Sequence, residues 1–563
     1  MALSILILNL KGQRMEIFLD IETDNLFPQL TRIDLIGILY KENIYVRFRE
    51  IEEFKKFIRN RELEGKKIRF IGHNIINFDS LVLKKFFADP YFDKYWDNCV
   101  DTLLLSRLLF PELEEHSLKF WGKYFGLDKL SLKGTKLTKY NKRDLEITKL
   151  LYNNLKLKIV PALKPCLRLE HKFAVAVRDQ ILNGFCYDEQ RTKEFKEDLE
   201  ADVLRLSLKI QEQMLDLGKL DETGIPNPKS RQQLIKFFIE KYNWEPKEFT
   251  AKGSPKISKE ILEDLPYKEA KLIVKMFNLN SKLATIKKWF VYAGYTGRVH
   301  GGVNTLGAIT GRCTHQNPNM ANISRDKRMR GCWVPRSDNL YLGSVDFQAQ
   351  EVRCLAHFLT QFDKGEFAAI IGSGQFDIHS INQEHLGFKY RQTAKNFLYA
   401  FVYGATQERL ARVIIDSEPY SLREALKFIG DKVRLFEKLY PNIPRVQRYY
   451  RNAYQQNGFI LGLDGRILKP QKTYSGGSIM NCLIQNAGAV LMKQAMVNLR
   501  ENVPEIKIVA NVHDEIVFEI RKDLVEDLRE IIREFVISAG QPYNFKCKLD
   551  AEVKVGNNWA EVH

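Results

Sequence analysis

Short apolar runs alternate with helix-like stretches through the first 155 residues. Ile17-Phe18-Leu19 and Ile33-Asp34-Leu35-Ile36-Gly37-Ile38-Leu39 read as strands, and the alternation predicts an α/β unit over 1–155. From about 160 to 290 the pattern turns helical and amphipathic, rich in Lys and Glu. A loop at Thr223-Gly224-Ile225-Pro226-Asn227-Pro228 interrupts it. From Val299 onward short strands alternate with helices, and one long helical block is expected from about 360 to 456. Near the end, the strand-like runs 506–512 and 516–520 leave only His513, Asp514 and Glu515 between them. That predicts a β-hairpin with acids at its turn. The apolar opening, residues 2–10, lacks a basic leader and a small-residue cleavage site, so it reads as a strand rather than a signal peptide. Met15 offers an alternative start to Met1.

Composition narrows the partner. A chain of 563 residues exceeds one hydrophobic core, so three or four subdomains are expected. The formal charge of +17 calls for a polyanion, either nucleic acid or an acidic membrane surface. No apolar run is long enough to span a bilayer, which leaves nucleic acid. The excess is concentrated, with 15 basic and 7 acidic residues between Pro226 and Arg298. Eight cysteines at irregular spacing, without a CxxC pair, exclude a zinc finger or disulfide framework and suit a reducing cytoplasm. There is no GxxxxGK[ST] and no GxGxxG, so P-loop and Rossmann nucleotide sites are excluded.

Two groups of acids carry the chemistry. In Glu16-Ile17-Phe18-Leu19-Asp20-Ile21-Glu22-Thr23 the strand period puts Asp20 and Glu22 on one face. Asn74-Ile75-Ile76-Asn77-Phe78-Asp79 follows, and then Tyr140-Asn141-Lys142-Arg143-Asp144, where Asp144 opens a helical run with Tyr140 one turn earlier on the same face. Singly, each segment fits a solvated edge strand, a turn or a helix cap. Together they supply four carboxylates and a phenol, the hard oxygen donors that hold paired magnesium ions for in-line phosphoryl displacement. The pattern DxE, N-x4-D, Y-x3-D resembles the DEDDy 3′→5′ proofreading exonucleases of DNA polymerases. The resemblance implies metal ligands at Asp20, Glu22, Asp79 and Asp144 and a water-orienting Tyr140. The segments starting at Asp101 and His116 are similar to phage polymerases of the T-seven type.

The second group spans the C-terminal half. Tyr341-Leu342-Gly343-Ser344-Val345-Asp346 is a strand ending in an acid, and Asp514 sits at the predicted hairpin. Between them Arg391, Lys395, Tyr399 and Tyr403 recur every fourth residue, a stripe cationic at one end and aromatic at the other. These blocks, with Thr310-Gly311-Arg312, Asp377-Ile378-His379, Leu463-Asp464-Gly465-Arg466 and Asn481-Cys482-Leu483-Ile484-Gln485, resemble motifs A, B and C of family A, the DNA polymerase I family. The resemblance implies Asp346, Asp514 and the Phe347 carbonyl as metal ligands, with Glu515 also catalytic. It implies Arg391, Lys395, His379 and Tyr399 around the incoming dNTP, Lys395 as a proton donor to pyrophosphate, and Glu351 as a gate against a ribose 2′-OH. Arg312, Arg353, Tyr403, Asn481, Gln485 and His513 would face DNA. Gln348 departs from the usual Ser of motif A, and Tyr399 stands where many bacterial relatives carry Phe.

The implied architecture is an RNase H-like exonuclease domain (1–155) followed by a right-hand polymerase. Its thumb would span 160–295, its palm 296–360 and 457–563, and its fingers 361–456. The implied cofactors are two Mg2+ per active site, with Mn2+ able to substitute. Primer-template DNA and dNTPs are the implied substrates, and helicase and single-strand-binding protein the implied replisome partners. With only 19 residues before Asp20, no 5′-nuclease domain is expected ahead of it. The segment 251–256 resembles a thumb tip with no room for a thioredoxin-binding insertion, so no thioredoxin partner is expected. A cytoplasmic location follows, the host cytoplasm for a phage enzyme. The competing reading is a nuclease whose polymerase half only binds primer-template DNA.

Overall fold

The computed structural model describes residues 14–563, apart from 42, 216–225, 251–252, 375–376, 416–419 and 471–475. The opening segment 2–10, residues 223–225 of the expected loop, and Ala251 and Lys252 lie outside the described residues.

The alternating run around Asp20 forms β1 (Arg14–Thr23), the middle strand of a five-stranded sheet ordered β3-β2-β1-β4-β5. β2 (Ile33–Tyr40) and β3 (Ile44–Phe48) continue antiparallel on one side. β4 (Lys67–Gly72) and β5 (Val100–Asp101) run parallel on the other. Both faces are buried, as the apolar residues of β1 require. Ile17, Leu19 and Ile21 face the layer that holds Phe54, Ile58 and Leu81. Phe18 faces the opposite layer with Leu105, Leu145 and Leu151. Asp20 and Glu22 share the Phe18 side by period two, and Phe18 packs edge-on against Tyr152 at 5.9 Å. The helix Leu137–Lys156 is thereby laid over the two acids. It starts seven residues before Asp144, so Asp144 lies inside the helix rather than opening it, with Tyr140 one turn earlier.

The helix Lys164–Asn183, buried along most of its length, leads out of this domain. Beyond it two long helices, Glu189–Leu215 and Lys268–Ala293, run side by side. Their far end is closed by an apolar cluster that includes Leu206, Phe237, Phe238, Ile273 and Met276.

A four-stranded antiparallel sheet organises the C-terminal half, in the order Lys507–Val512, Glu515–Arg521, Leu340–Phe347, Ala551–Gly556. The expected hairpin is present, but its turn has two residues, His513 and Asp514. Val512 pairs with Glu515, which therefore opens the second strand. The expected long helical block is divided into shorter helices, among them Ile378–Leu386, Arg391–Val402 and Gln407–Ile415. Gly387 (φ 64°) and Gly404 (φ 71°) make two of the breaks in left-handed backbone, which glycine adopts without a Cβ penalty. Tyr403, the last residue of the four-residue stripe, sits one position past the end of its helix. No described helix is long and apolar enough to cross a membrane. All eight cysteines are free thiols.

Two candidate active sites

The first site lies where β1 meets the helix Leu137–Lys156. Asn141 donates from Nδ2 to Asp20 Oδ2 at 2.7 Å and to the Asp20 carbonyl at 3.1 Å, while its Oδ1 accepts from the Tyr45 hydroxyl at 3.1 Å. Asp20 pairs across the sheet with Gly37, and only glycine leaves room there: a Cβ would lie 1.7 Å from Asn141 Oδ1. Asp79 opens its own helix and accepts from the Ile21 N–H at 2.9 Å, which ties the third acid to the strand of the first two. Buried Asp101 holds the turn before Asp79 by accepting from the N–H groups of Asn74 at 3.0 Å and Ile76 at 3.2 Å.

Four acids so placed repel one another. Burial, then the charges of Asp79, Glu22 and Asp144, push the Asp20 carboxyl far above its usual range. Burial and the charge of Asp144 raise Glu22 to about 7. Burial raises Asp79 to about 8, against the pull of the Ile21 N–H. Opposing them is a cation that the sequence did not single out. Lys129 bonds to Asp144 Oδ2, and its ammonium lies 4.7 Å from the centre of the Tyr140 ring. It is 15 residues from Asp144 in an irregular stretch, where no periodicity marks it.

The second site sits at one end of the C-terminal sheet. Asp346 is paired with Glu515 on one side and Glu552 on the other. Asp514 occupies the adjoining turn. Burial, followed by the charges of Asp514 and Glu515, raises Asp346 to about 7, with Lys554 opposing. Glu515 does not face this space freely. Its Oε1 accepts from Trp559 Nε1 at 2.9 Å, and its Oε2 meets Arg330 at 3.5 Å and His563 Nδ1 at 3.1 Å. That environment makes Glu515 a buried anchor beside Asp514.

The striped helix presents Arg391, Lys395 and Tyr399 as expected. The Arg391 fork is already engaged by Asp377, with Nε–Oδ2 at 2.5 Å and Nη2–Oδ1 at 3.0 Å. His379 lies beside Tyr399, ring centres 5.8 Å apart. Burial and the Arg391 charge lower it to about 4, so the imidazole is neutral near pH 7. Glu351 meets Arg312 at 3.5 Å, and burial, followed by the Glu351 charge, raises the phenols of Tyr399 and Tyr403. Gln485 and Asn481 lie half-buried on the helix Gly476–Asn502, and His513 is exposed. Arg353, expected to face DNA, is instead buried. Its guanidinium donates to the carbonyls of Gln348 (2.8 Å) and Lys548, holding the turn after Phe347.

Comparison with known proteins identifies the family. The family model "DNA polymerase family A" matches residues 189–561. The chain belongs to DNA polymerase family A. The DNA-directed DNA polymerases of Enterobacteria phage T3 and Escherichia phage T7 are each 30% identical to this family A chain over 376 residues, 60% of the chain and 53% of theirs. The chain thus spans about half the length of those phage relatives. DNA polymerase I of Aquifex aeolicus (strain VF5) is 26% identical over 603 residues, 97% of this chain and 96% of its own. Among solved structures, the POL domain of Pol1 from M. smegmatis, in complex with DNA primer-template and dNTP, superposes with a TM-score of 0.79. It covers 98% of this chain and 97% of its own at 16% identity, and it shares the fold. The architecture is accordingly the family A polymerase fold, preceded in the chain by the domain built on the mixed five-stranded sheet.

Divalent cations suit both carboxylate sites by donor chemistry. Asp144 Oδ1 and Asp346 Oδ1 are buried with no hydrogen-bond partner, and hard carboxylate oxygens are what magnesium takes. Among the described residues no three His, Cys, Asp or Glu side chains are drawn close enough to cage an ion.

Proposed function

We propose that this family A chain is a DNA-templated DNA polymerase carrying a 3′→5′ proofreading exonuclease, as in phage replication. The observation that carries the reading is the pair of acid sites in one chain, each with a buried carboxylate oxygen lacking a partner. Its substrates are primer-template DNA and dNTPs, and helicase and single-strand-binding protein are its expected partners in the host cytoplasm.

In synthesis, Asp346, Asp514 and the Phe347 carbonyl would hold two Mg2+ (or Mn2+), which when bound neutralise charge on the attacking and departing oxygens. The chain's own groups do the positioning. Arg391 leaves Asp377 for the triphosphate, joined by Lys395 and neutral His379. The primer 3′-OH gives up its proton to water as its oxygen bonds to the α-phosphorus, the bond to pyrophosphate breaks, and Lys395 supplies the departing pyrophosphate with a proton and regains one from water. Glu351 closes the space a ribose 2′-OH would need, with Tyr403 at the templating position. Arg312, Gln485 and His513 probe the minor groove of the new pair, and Asn481 lies on the same helix face as Gln485. Arg353 and Glu515 act from behind, fixing the backbone that carries Phe347 and Asp514.

In proofreading, Asp20, Glu22, Asp79 and Asp144 would hold the ions and Tyr140 would orient the attacking water. The test separates the halves. Asp346→Asn is expected to abolish primer extension while 3′ shortening continues, and Asp79→Asn to do the reverse. Loss of both activities in either variant would contradict two independent sites.

A further inference from the structure

Lys129 stands between the nuclease acids and an open groove. On its inner side it bonds to Asp144, whose side chain is 5% exposed, while Lys129 itself remains 25% exposed. The Tyr140 ring lies beneath the ammonium at 4.7 Å. Its charge reaches Asp20, Glu22 and Asp144 together. On its outer side Lys129 lines a groove of about 1160 Å³ with His73, Arg107, Lys119, Phe120 and Tyr124. Cationic and aromatic side chains in one groove suit a single strand, with phosphates against the charges and bases against the rings. Lys129 is thus placed where that groove meets the acids.

An ammonium carries three N–H donors, and one carboxylate oxygen engages one of them. A phosphodiester brought to the acids adds negative charge, and that charge grows as the phosphorus accepts a fifth oxygen. A cation already held among the acids meets it without the cost of reorganisation.

We propose that Lys129 is a catalytic residue of the nuclease site, donating to a non-bridging oxygen of the 3′-terminal phosphodiester. The inference rests on the nuclease reading above and adds a protein cation to a site otherwise built of acids and Tyr140. In the hydrolysis a water oxygen bonds to phosphorus and the bond from phosphorus to the penultimate 3′ oxygen breaks. The water gives up a proton, the departing 3′ oxygen gains one, and Lys129 keeps its own throughout.

The test pairs a protein variant with a neutral linkage. A 5′-labelled single strand carries either a normal phosphodiester or a methylphosphonate at its last linkage, and binding is read by anisotropy in EDTA for the wild type, Lys129→Ala and Lys129→Arg. The wild type is expected to bind the neutral strand about tenfold more weakly, the scale of one charge-assisted hydrogen bond. Lys129→Ala is expected to bind both strands alike, and Lys129→Arg to restore most of the difference. In magnesium, Lys129→Ala is expected to shorten the normal strand about a hundredfold more slowly, the scale of one lost transition-state donor. If Lys129→Ala keeps the full penalty for the neutral linkage, with its fold verified by near-ultraviolet circular dichroism, the ammonium does not touch the phosphate and the proposal falls. A wild type that never shortens the strand in magnesium would overturn the nuclease reading, whereas the binding cycle reads the contact separately.

Discussion

Glu170 and His171, neighbours on one buried helix, face opposite halves of the molecule. The Glu170 carboxylate accepts from Arg466 at 2.7 Å and Lys493 at 2.6 Å, inside the polymerase half. Lys493 also donates to the Thr305 carbonyl at 2.8 Å, at the start of the loop that presents Arg312. His171 accepts the Asp101 N–H at 3.1 Å through Nε2 and contacts the Leu167 carbonyl at 2.8 Å through Nδ1. Asp101 in turn braces the turn before Asp79. Adjacent side chains thus fix backbone next to both acid sites. Arg500 adds a second tie, reaching Asp97 at 2.8 Å and Asp179 at 2.7 Å from the polymerase half.

Removing the Glu170 charge leaves buried Arg466 with Asp464 as its remaining acid and buried Lys493 with the Thr305 carbonyl alone. Glu170→Gln is expected to cost about 3–5 kcal/mol of stability, the usual penalty for breaking a buried ion pair from one side. Urea unfolding measures it, and a loss below about 1 kcal/mol, the worth of a surface pair, would show that the cluster is not tightly coupled.

Gly37→Ala tests the nuclease scaffold without touching an acid. The new methyl would overlap Asn141 Oδ1, so Asn141 must leave Asp20. Shortening of a 3′ end is expected to slow by at least about tenfold, since a shift of an ångström or less in a catalytic group costs this much or more. Primer extension should hardly change. Equal loss of both activities would place the damage elsewhere.

Tyr399 offers a phenol beside His379 on the striped helix. A phenol can replace the hydrogen bond lost when a nucleotide lacks its 3′-OH. Tyr399→Phe is therefore expected to lower dideoxynucleotide incorporation relative to dNTP by about tenfold, the worth of one well-placed hydrogen bond. Unchanged incorporation ratios on a sequencing gel would contradict this.

His357 gives a pH dependence of known sign. Its Nδ1 accepts from the Lys546 N–H at 3.0 Å, and its ring stacks on Phe545 with centres 4.7 Å apart. Burial, then the Lys546 charge, lowers it from 6.5 to about 4. A folded value below the unfolded one means that the unfolded chain binds the extra proton. The contribution to stability is therefore whole above pH 6.5 and falls away between 6.5 and about 4. His357→Gln keeps an acceptor for Lys546 and does not titrate. Its melting temperature should decline less than that of the wild type across that interval. Parallel declines would contradict the assignment.

Local patterns made much of this legible in the sequence. Period two placed Asp20 with Glu22, a four-residue spacing placed Tyr140 over Asp144, and the stripe from Arg391 set the face of a helix that ends just before Tyr403. Contacts between distant segments left no such trace. Asn141 reaches Asp20 across 121 residues, and Arg330 reaches Glu515 across 185. The burial of Arg353 was equally hidden, because its partners are backbone carbonyls, which any sequence supplies. Lys129 comes from an irregular stretch, where neither helix nor strand spacing could mark it.

The most direct test of a polymerase with its own proofreading site uses a 5′-labelled primer on a longer template, incubated with magnesium and resolved on a denaturing gel with and without dNTPs. Extension with dNTPs and shortening without them is the predicted pair of outcomes, both stopped by EDTA. Shortening in both lanes would contradict it and leave a nuclease whose second half only binds DNA.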